Sequence, residues 1–164
     1  MRLRKFLMCF LLSWLSVSSV SCAAEVDETV TPVEESSSAA SEELTGDWTT
    51  GWYSDAEGYE RAFADYERMR RPMAVYINVK WCPYCRVFEK KILSDPRVRQ
   101  FMRDVIKVKI NPESGRREYA IAARYRVMGY PSFFVHPPNQ DKTIQLYAGV
   151  SPEQFIEIFK KTLK

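Results

Sequence analysis

Met73-Ala-Val-Tyr-Ile-Asn-Val79 followed by Lys80-Trp-Cys-Pro-Tyr-Cys85 is the stretch on which the fold turns. The first seven residues are a nearly continuous apolar run, the mark of a strand buried on both faces. Two cysteines separated by two residues follow at once, with Pro83 between them. A proline suits the first turn of a helix, where its missing N–H would have no partner. The junction therefore predicts a buried strand feeding a helix that begins at Cys82. Unpaired backbone N–H groups and the helix dipole favour a thiolate there, and Lys80 adds positive charge two residues earlier. Cys85, one turn on and more buried, stays protonated until it attacks a mixed disulfide. Nucleophile first and resolver second is the chemistry this spacing allows.

On the N-terminal side, Ser54 and Glu57 have the spacing of a capping box. Tyr59, Phe63, Tyr66 and Met69 recur at helical intervals up to the break at Pro72. On the C-terminal side the helix runs to about Leu93, and Asp95-Pro96 caps a further segment to Arg103. Val105 to Ile110 alternates as a half-buried strand, with Ile106, Val108 and Ile110 on one face and Lys107 and Lys109 on the other. Residues 113–126 read as a helix. Ser132 to His136 and Thr143 to Ala148 read as strands joined by a turn-rich loop, and a last helix starts at Ser151-Pro152 with Phe155, Ile156, Phe159 and Leu163 inward. The order αβαβαββα predicts an α/β fold, a central sheet of about four strands covered by helices on both faces.

The remaining third of the chain has another character. Arg2, Arg4 and Lys5 precede the apolar run Phe6 to Val20, and small residues follow at Ser21, Ala23 and Ala24. This is the layout of a secretory signal over 1–24, shorter than the about 20 apolar residues of a membrane span. Retention as a signal anchor is the alternative. Cys22 raises another, lipidation as in bacterial lipoproteins, although Ser19 stands where that signal prefers an aliphatic residue. Residues 25–47 carry eight acidic side chains, no basic one and few large apolar ones. Such a stretch cannot offset its ordering entropy and reads as a flexible linker. The domain proper is 48–164.

Charge and cysteine usage narrow the class. Of 24 Lys and Arg, three lie in the signal, leaving 21 against 21 Asp and Glu. With the acidic linker set aside, residues 48–164 hold 21 basic and 13 acidic side chains. An exported basic domain implies acidic partners or lipid headgroups rather than nucleic acid. Removing the signal leaves Cys82 and Cys85 as the only cysteines. As a static disulfide they would close almost no loop. Zinc needs about four ligands, whereas His136 is the single histidine and reads as a surface loop residue. A copper-handling C-x-x-C is the remaining metal alternative; the expectation is no metal and no cofactor.

Trp81-Cys82-Pro83-Tyr84-Cys85 after a buried strand resembles the active site of the thioredoxin superfamily. Val127-Met128-Gly129-Tyr130-Pro131-Ser132 resembles that family's second signature, a loop ending in a cis-proline. The resemblance covers about residues 54–164. Through Phe88-Glu89-Lys90, Ser94-Asp95-Pro96 and the Gly149 turn it is most similar to the C-terminal thioredoxin-like domains of DsbD-type bacterial electron carriers and related periplasmic proteins. It implies a three-layer α/β/α fold with a mixed sheet. It also implies Trp81 beside the redox pair, Pro83 and Tyr84 at the substrate face, and Tyr130 and Pro131 pairing with an extended substrate segment. One departure concerns Tyr76, six residues before Cys82, where many thioredoxins carry a buried acid that deprotonates the resolving thiol. The expected function is exported, periplasmic thiol–disulfide exchange in the direction of reducing disulfide-bearing exported proteins, with electrons from a membrane or soluble thiol donor. An oxidase or isomerase is the alternative within the class; a redox-inert peptide-binding or chaperone module is the alternative outside it.

Overall fold

The computed structural model describes residues 47–164. The signal over 1–24, Cys22 and all but the last residue of the 25–47 linker lie outside the described residues. Five strands form one sheet: β1 (Tyr53–Ser54), β2 (Met73–Ile77), β3 (Ile106–Ile110), β4 (Ser132–His136) and β5 (Ile144–Leu146), in the order β1-β3-β2-β4-β5. β2 and β1 run parallel to β3, whereas β4 is antiparallel to both β2 and β5. The fifth strand is β1, only two residues long, paired through Tyr53 with Val108 and Ser54 with Lys109. Two residues are too few to show a period of two, which is why the sequence pattern yields four strands.

β2 is central, and all five of its residues are fully buried. Alternation sends Ala74 and Tyr76 to one face and Met73, Val75 and Ile77 to the other. The first face is covered by α2 (Pro83–Phe88), α3 (Pro96–Phe101) and α5 (Pro152–Thr162). Its centre is aromatic, with Phe133 5.1 Å from Phe155 and Phe88 5.7 Å from Phe155 between ring centroids. The second face is covered by α1 (Asp55–Met69) and α4 (Arg116–Arg124), which press Ala56, Ala62 and Ile121 onto Val75, Val108 and Ile110. Each fully buried large apolar side chain contributes about 1.5–3 kcal/mol, so both faces are needed. The three-layer α/β/α architecture is the expected one.

Local departures from the expectation have local causes. Ser54 is the N-cap of α1, yet its side chain makes no capping bond. The chain passes from β1 into α1 with Asp55 at φ 62°, and the Ala56 N–H is met by Glu118 Oε1 of α4 at 2.9 Å. A partner 62 residues away thus satisfies one of the N-terminal N–H groups of α1. The tight junction is possible because Gly58 packs on Tyr53, where a Cβ would come within 3.2 Å of backbone. The box that does form is at α5: the Gln154 N–H donates to Ser151 Oγ and the Ser151 N–H to Gln154 Oε1. The helix after the cysteines continues to Leu93, but Glu89–Leu93 is one turn of π-helix, closed by the Ser94 N–H on the Glu89 carbonyl at 2.9 Å.

His136 is not a loop residue. It ends β4, partly buried beneath Phe63 and Tyr66, with Nε2 2.7 Å from the Tyr125 hydroxyl, which is itself 3.0 Å from the Tyr59 hydroxyl. Burial lowers its pKa from 6.5 to about 4. A depressed histidine pKa means that the unfolded chain takes up a proton before the folded one, so stability falls as pH drops from above 6.5 towards 4. With one histidine in the chain, urea titration of the oxidised protein at pH 7 and pH 5 should show a loss of about 1–2 kcal/mol. His136→Gln should remove most of that pH dependence; an equal loss in the variant would place its cause elsewhere.

Candidate functional site

The C-terminal end of β2 delivers the two cysteines. After Ile77 the Asn78 N–H still donates to the Ile110 carbonyl at 3.1 Å, extending the parallel ladder by one bond. The chain then turns, and the Cys82 N–H donates to the Val79 carbonyl at 3.2 Å. Cys82 is the N-cap of α2: its Sγ accepts from the Cys85 N–H at 3.1 Å, and Pro83 occupies the first turn. Cys82 and Cys85 are joined in a disulfide with their Cα atoms 5.3 Å apart. In this oxidised form they are equally covered, at 2% and 1% exposure, so the expected contrast between an open nucleophile and a buried resolver is absent. Tyr130 packs against the buried cluster formed by Val79, Cys82 and Cys85.

Around this pair the structure brings together Trp81, Tyr130 and Pro131. The Tyr130–Pro131 peptide is cis. Trp81, 64% exposed, stands edge-on to Tyr130 with ring centroids 6.2 Å apart. Pro83 and Tyr84 lie exposed on the outer side of α2. Lys80 is exposed and enters the hydrogen bonding of the site through its backbone: its carbonyl accepts from Arg86 Nη1 at 3.1 Å. Arg86, the residue directly after Cys85, thus anchors the turn before the cysteines.

Tyr76 lies beneath the redox helix, fully buried, with its hydroxyl donating to Glu89 Oε1 at 2.9 Å; Asn78 Nδ2 donates to the same oxygen at 2.9 Å. Burial first, and then the Glu89 carboxylate, push the Tyr76 phenol far above its usual range, so it stays a neutral donor. Trp48 and Trp52 pack edge-on against the same ring. Where a carboxylate on β2 is missing, one therefore arrives from the helix, four residues after Cys85.

Sequence reasoning assigned no role to Glu89, Glu113, Asn78 or Arg86. Glu89 was legible in principle, because i and i+4 share a helix face. Glu113 carried no signal: its Oε1 accepts the Trp81 indole N–H at 2.8 Å from a loop 32 residues away. Among the described residues no three His, Cys, Asp or Glu side chains gather to hold a metal, and no helix is long and apolar enough to cross a membrane. His136 pairs with Met73 at the start of β2, the end opposite the cysteines.

Removing the Glu89 carboxylate strands a buried phenol. Glu89→Ala should cost about 1–3 kcal/mol in urea unfolding, the penalty of an unsatisfied buried donor. Tyr76→Phe in that background should recover part of the loss; strictly additive destabilisation would show that the two groups are not coupled.

A family profile described as thioredoxin-like matches residues 51–138, more than half of the chain. A thiol:disulfide interchange protein DsbD of Haemophilus influenzae (strain PittGG) is 27% identical over 112 residues, which cover 66% of this chain and 19% of that protein. A DsbD of Salmonella typhi is 30% identical over 63 residues, 38% of this chain and 11% of that protein. The chain therefore spans less than a fifth or so of the length of these relatives. Among solved structures, a Thermus thermophilus thioredoxin superposes with TM-score 0.57 at 24% identity, covering 68% of this chain and 85% of that one. The oxidised C-terminal domain of Neisseria meningitidis DsbD superposes with TM-score 0.54 at 20% identity, covering 67% and 97%. At these identities the superpositions show the fold.

Proposed function

Because this chain belongs to the thioredoxin-like family, we propose that it is a thiol–disulfide oxidoreductase that reduces disulfides of exported proteins through Cys82 and Cys85. The observation that carries the proposal is the disulfide-linked pair at the start of α2, packed against Tyr130. The reduced protein would act as follows. The Cys82 thiolate attacks one sulfur of a partner disulfide, forming a mixed disulfide and releasing the partner's other sulfur as a thiolate. Cys85 loses its proton and attacks Cys82 Sγ, which re-forms the Cys82–Cys85 disulfide and frees the second partner sulfur. Two electrons pass from the dithiol to the partner, and two protons follow. A thiol donor, soluble or in the membrane, returns the pair to the dithiol by the reverse exchange.

Named residues support each step. The α2 N-terminus and the Cys85 N–H stabilise negative charge on Cys82 Sγ. Glu89, four residues after Cys85 and hydrogen-bonded to the Tyr76 hydroxyl, is the carboxylate we assign to take the Cys85 proton. Trp81, Pro83, Tyr84, Tyr130 and Pro131 form the face on which the partner's extended segment lies, and Lys80 adds positive charge at the entrance. The signal-like residues 1–24 and the DsbD relatives support a location outside the cytoplasm, in the periplasm of a bacterium; attachment to the membrane would run through that signal or through Cys22. Reduction is favoured over oxidation because no histidine lies between the two cysteines to make the nucleophilic thiolate very acidic.

Two measurements test this. Cys85→Ala should accumulate mixed disulfides with partner proteins, since Cys82 attacks but nothing releases it. Equal trapping by Cys82→Ala would overturn the assignment of nucleophile and resolver. Equilibration with glutathione buffers should give a potential of about −270 to −180 mV; a value near −120 mV with fast oxidation of a reduced unfolded protein would make it an oxidase.

A further inference from the structure

A groove runs from the redox site along the outer side of α2 and its π turn. It is lined by Tyr130 and Pro131, by Tyr84, Val87 and Lys91 of the redox helix and its π turn, and by the turn after β5; the cavity is about 630 Å³. That is the size range of ligand-binding clefts. Its floor is apolar core, including Phe88, Ile92 and Leu146. Its rims are apolar side chains left in solvent: Tyr84 and Tyr147 are each 74% exposed and Val87 50%. The Tyr147 ring folds across Gly149, where a Cβ would meet its hydroxyl at 2.7 Å, so this wall is an aromatic ring laid on bare backbone. Lys91 is the one charged side chain in the lining, and it makes no ion pair among the described residues.

We propose that this groove selects the partner by the segment flanking its reacting cysteine, taking a large apolar side chain between Tyr84 and Tyr147 and a carboxylate onto Lys91. The proposal rests on the disulfide-exchange reading and adds the substrate's chemistry to it. Continuity argues for this occupant, because a segment laid on Tyr130 and Pro131 enters the groove directly. Charge argues for the acid: no carboxylate lines the groove, and residues 48–164 carry 21 basic against 13 acidic side chains. Exposed contiguous apolar surface beside a reactive pair is the signature of a docking site. An exposed lysine at its far end supplies orientation and encounter rate more than affinity.

The test uses two peptides that differ only in charge. Each carries one cysteine as a mixed disulfide with 2-thiopyridine, flanked on both sides by phenylalanine and then by glutamate in one peptide and lysine in the other. The reduced protein attacks the peptide sulfur and releases pyridine-2-thione, which is read by absorbance, and 2,2′-dithiodipyridine reports the bare thiol chemistry. The acidic peptide should react about three- to fivefold faster in second-order rate constant at low salt, the size of one exposed ion pair, and 0.5 M salt should erase the difference. Lys91→Glu should reverse the preference, whereas Lys142→Glu, which changes net charge equally outside the groove, should keep it. Tyr147→Ala should slow both peptides about three- to tenfold and leave their ratio intact. Equal rates for the two peptides in the wild type, or loss of preference in Lys142→Glu, overturn the proposal. Failure to react even with 2,2′-dithiodipyridine overturns the exchange reading beneath it.

Discussion

A strand with no solvent face fixes the rest of this molecule. Every side chain of β2 must be covered, and alternation divides the covering work between two helical layers. Parallel pairing with β3 requires a crossover connection between the two strands. That connection is the stretch from the cysteines through α3, so the redox motif is forced to the C-terminal end of β2 and onto the face that holds Phe133 and Phe155. The position of the chemistry is thus a consequence of burial.

The site is built from groups that each solve a second problem. Cys82 caps a helix and presents a sulfur. Glu89 satisfies a buried phenol and an amide while placing a carboxylate under the redox helix. Glu113 accepts the Trp81 indole N–H and, with Tyr130 against the ring, orients a side chain that is 64% exposed. Such sharing makes the site rigid at little extra cost, and among the described residues no buried side-chain polar atom is left without a partner.

What the sequence makes legible follows from the range of the interactions. The apolar run of β2, the alternation of β3, Asp95 as a cap on Arg97 and the proline before a helix are local signals, and each element lies where its signal is. The capping box at Ser54 does not form: the chain enters α1 through Asp55 at φ 62°, and Glu118, distant in sequence, takes the Ala56 N–H. His136 reads as a loop residue from its two following prolines, but Tyr125 and the α1 aromatics enclose it. The Glu113 bond and the groove beside α2 depend on loop placement, which no local pattern encodes. Long-range partners decide those cases.

The π turn at Glu89–Leu93 is the last turn of the redox helix. Its i to i+5 closure, Ser94 N–H on the Glu89 carbonyl, is one residue wider than an α-helical turn. That single wide turn seats Ile92 and Leu93 in the core and still holds the Glu89 carboxylate on the Tyr76 hydroxyl. One short element thus anchors itself in the apolar layer and delivers a charge beneath the cysteines.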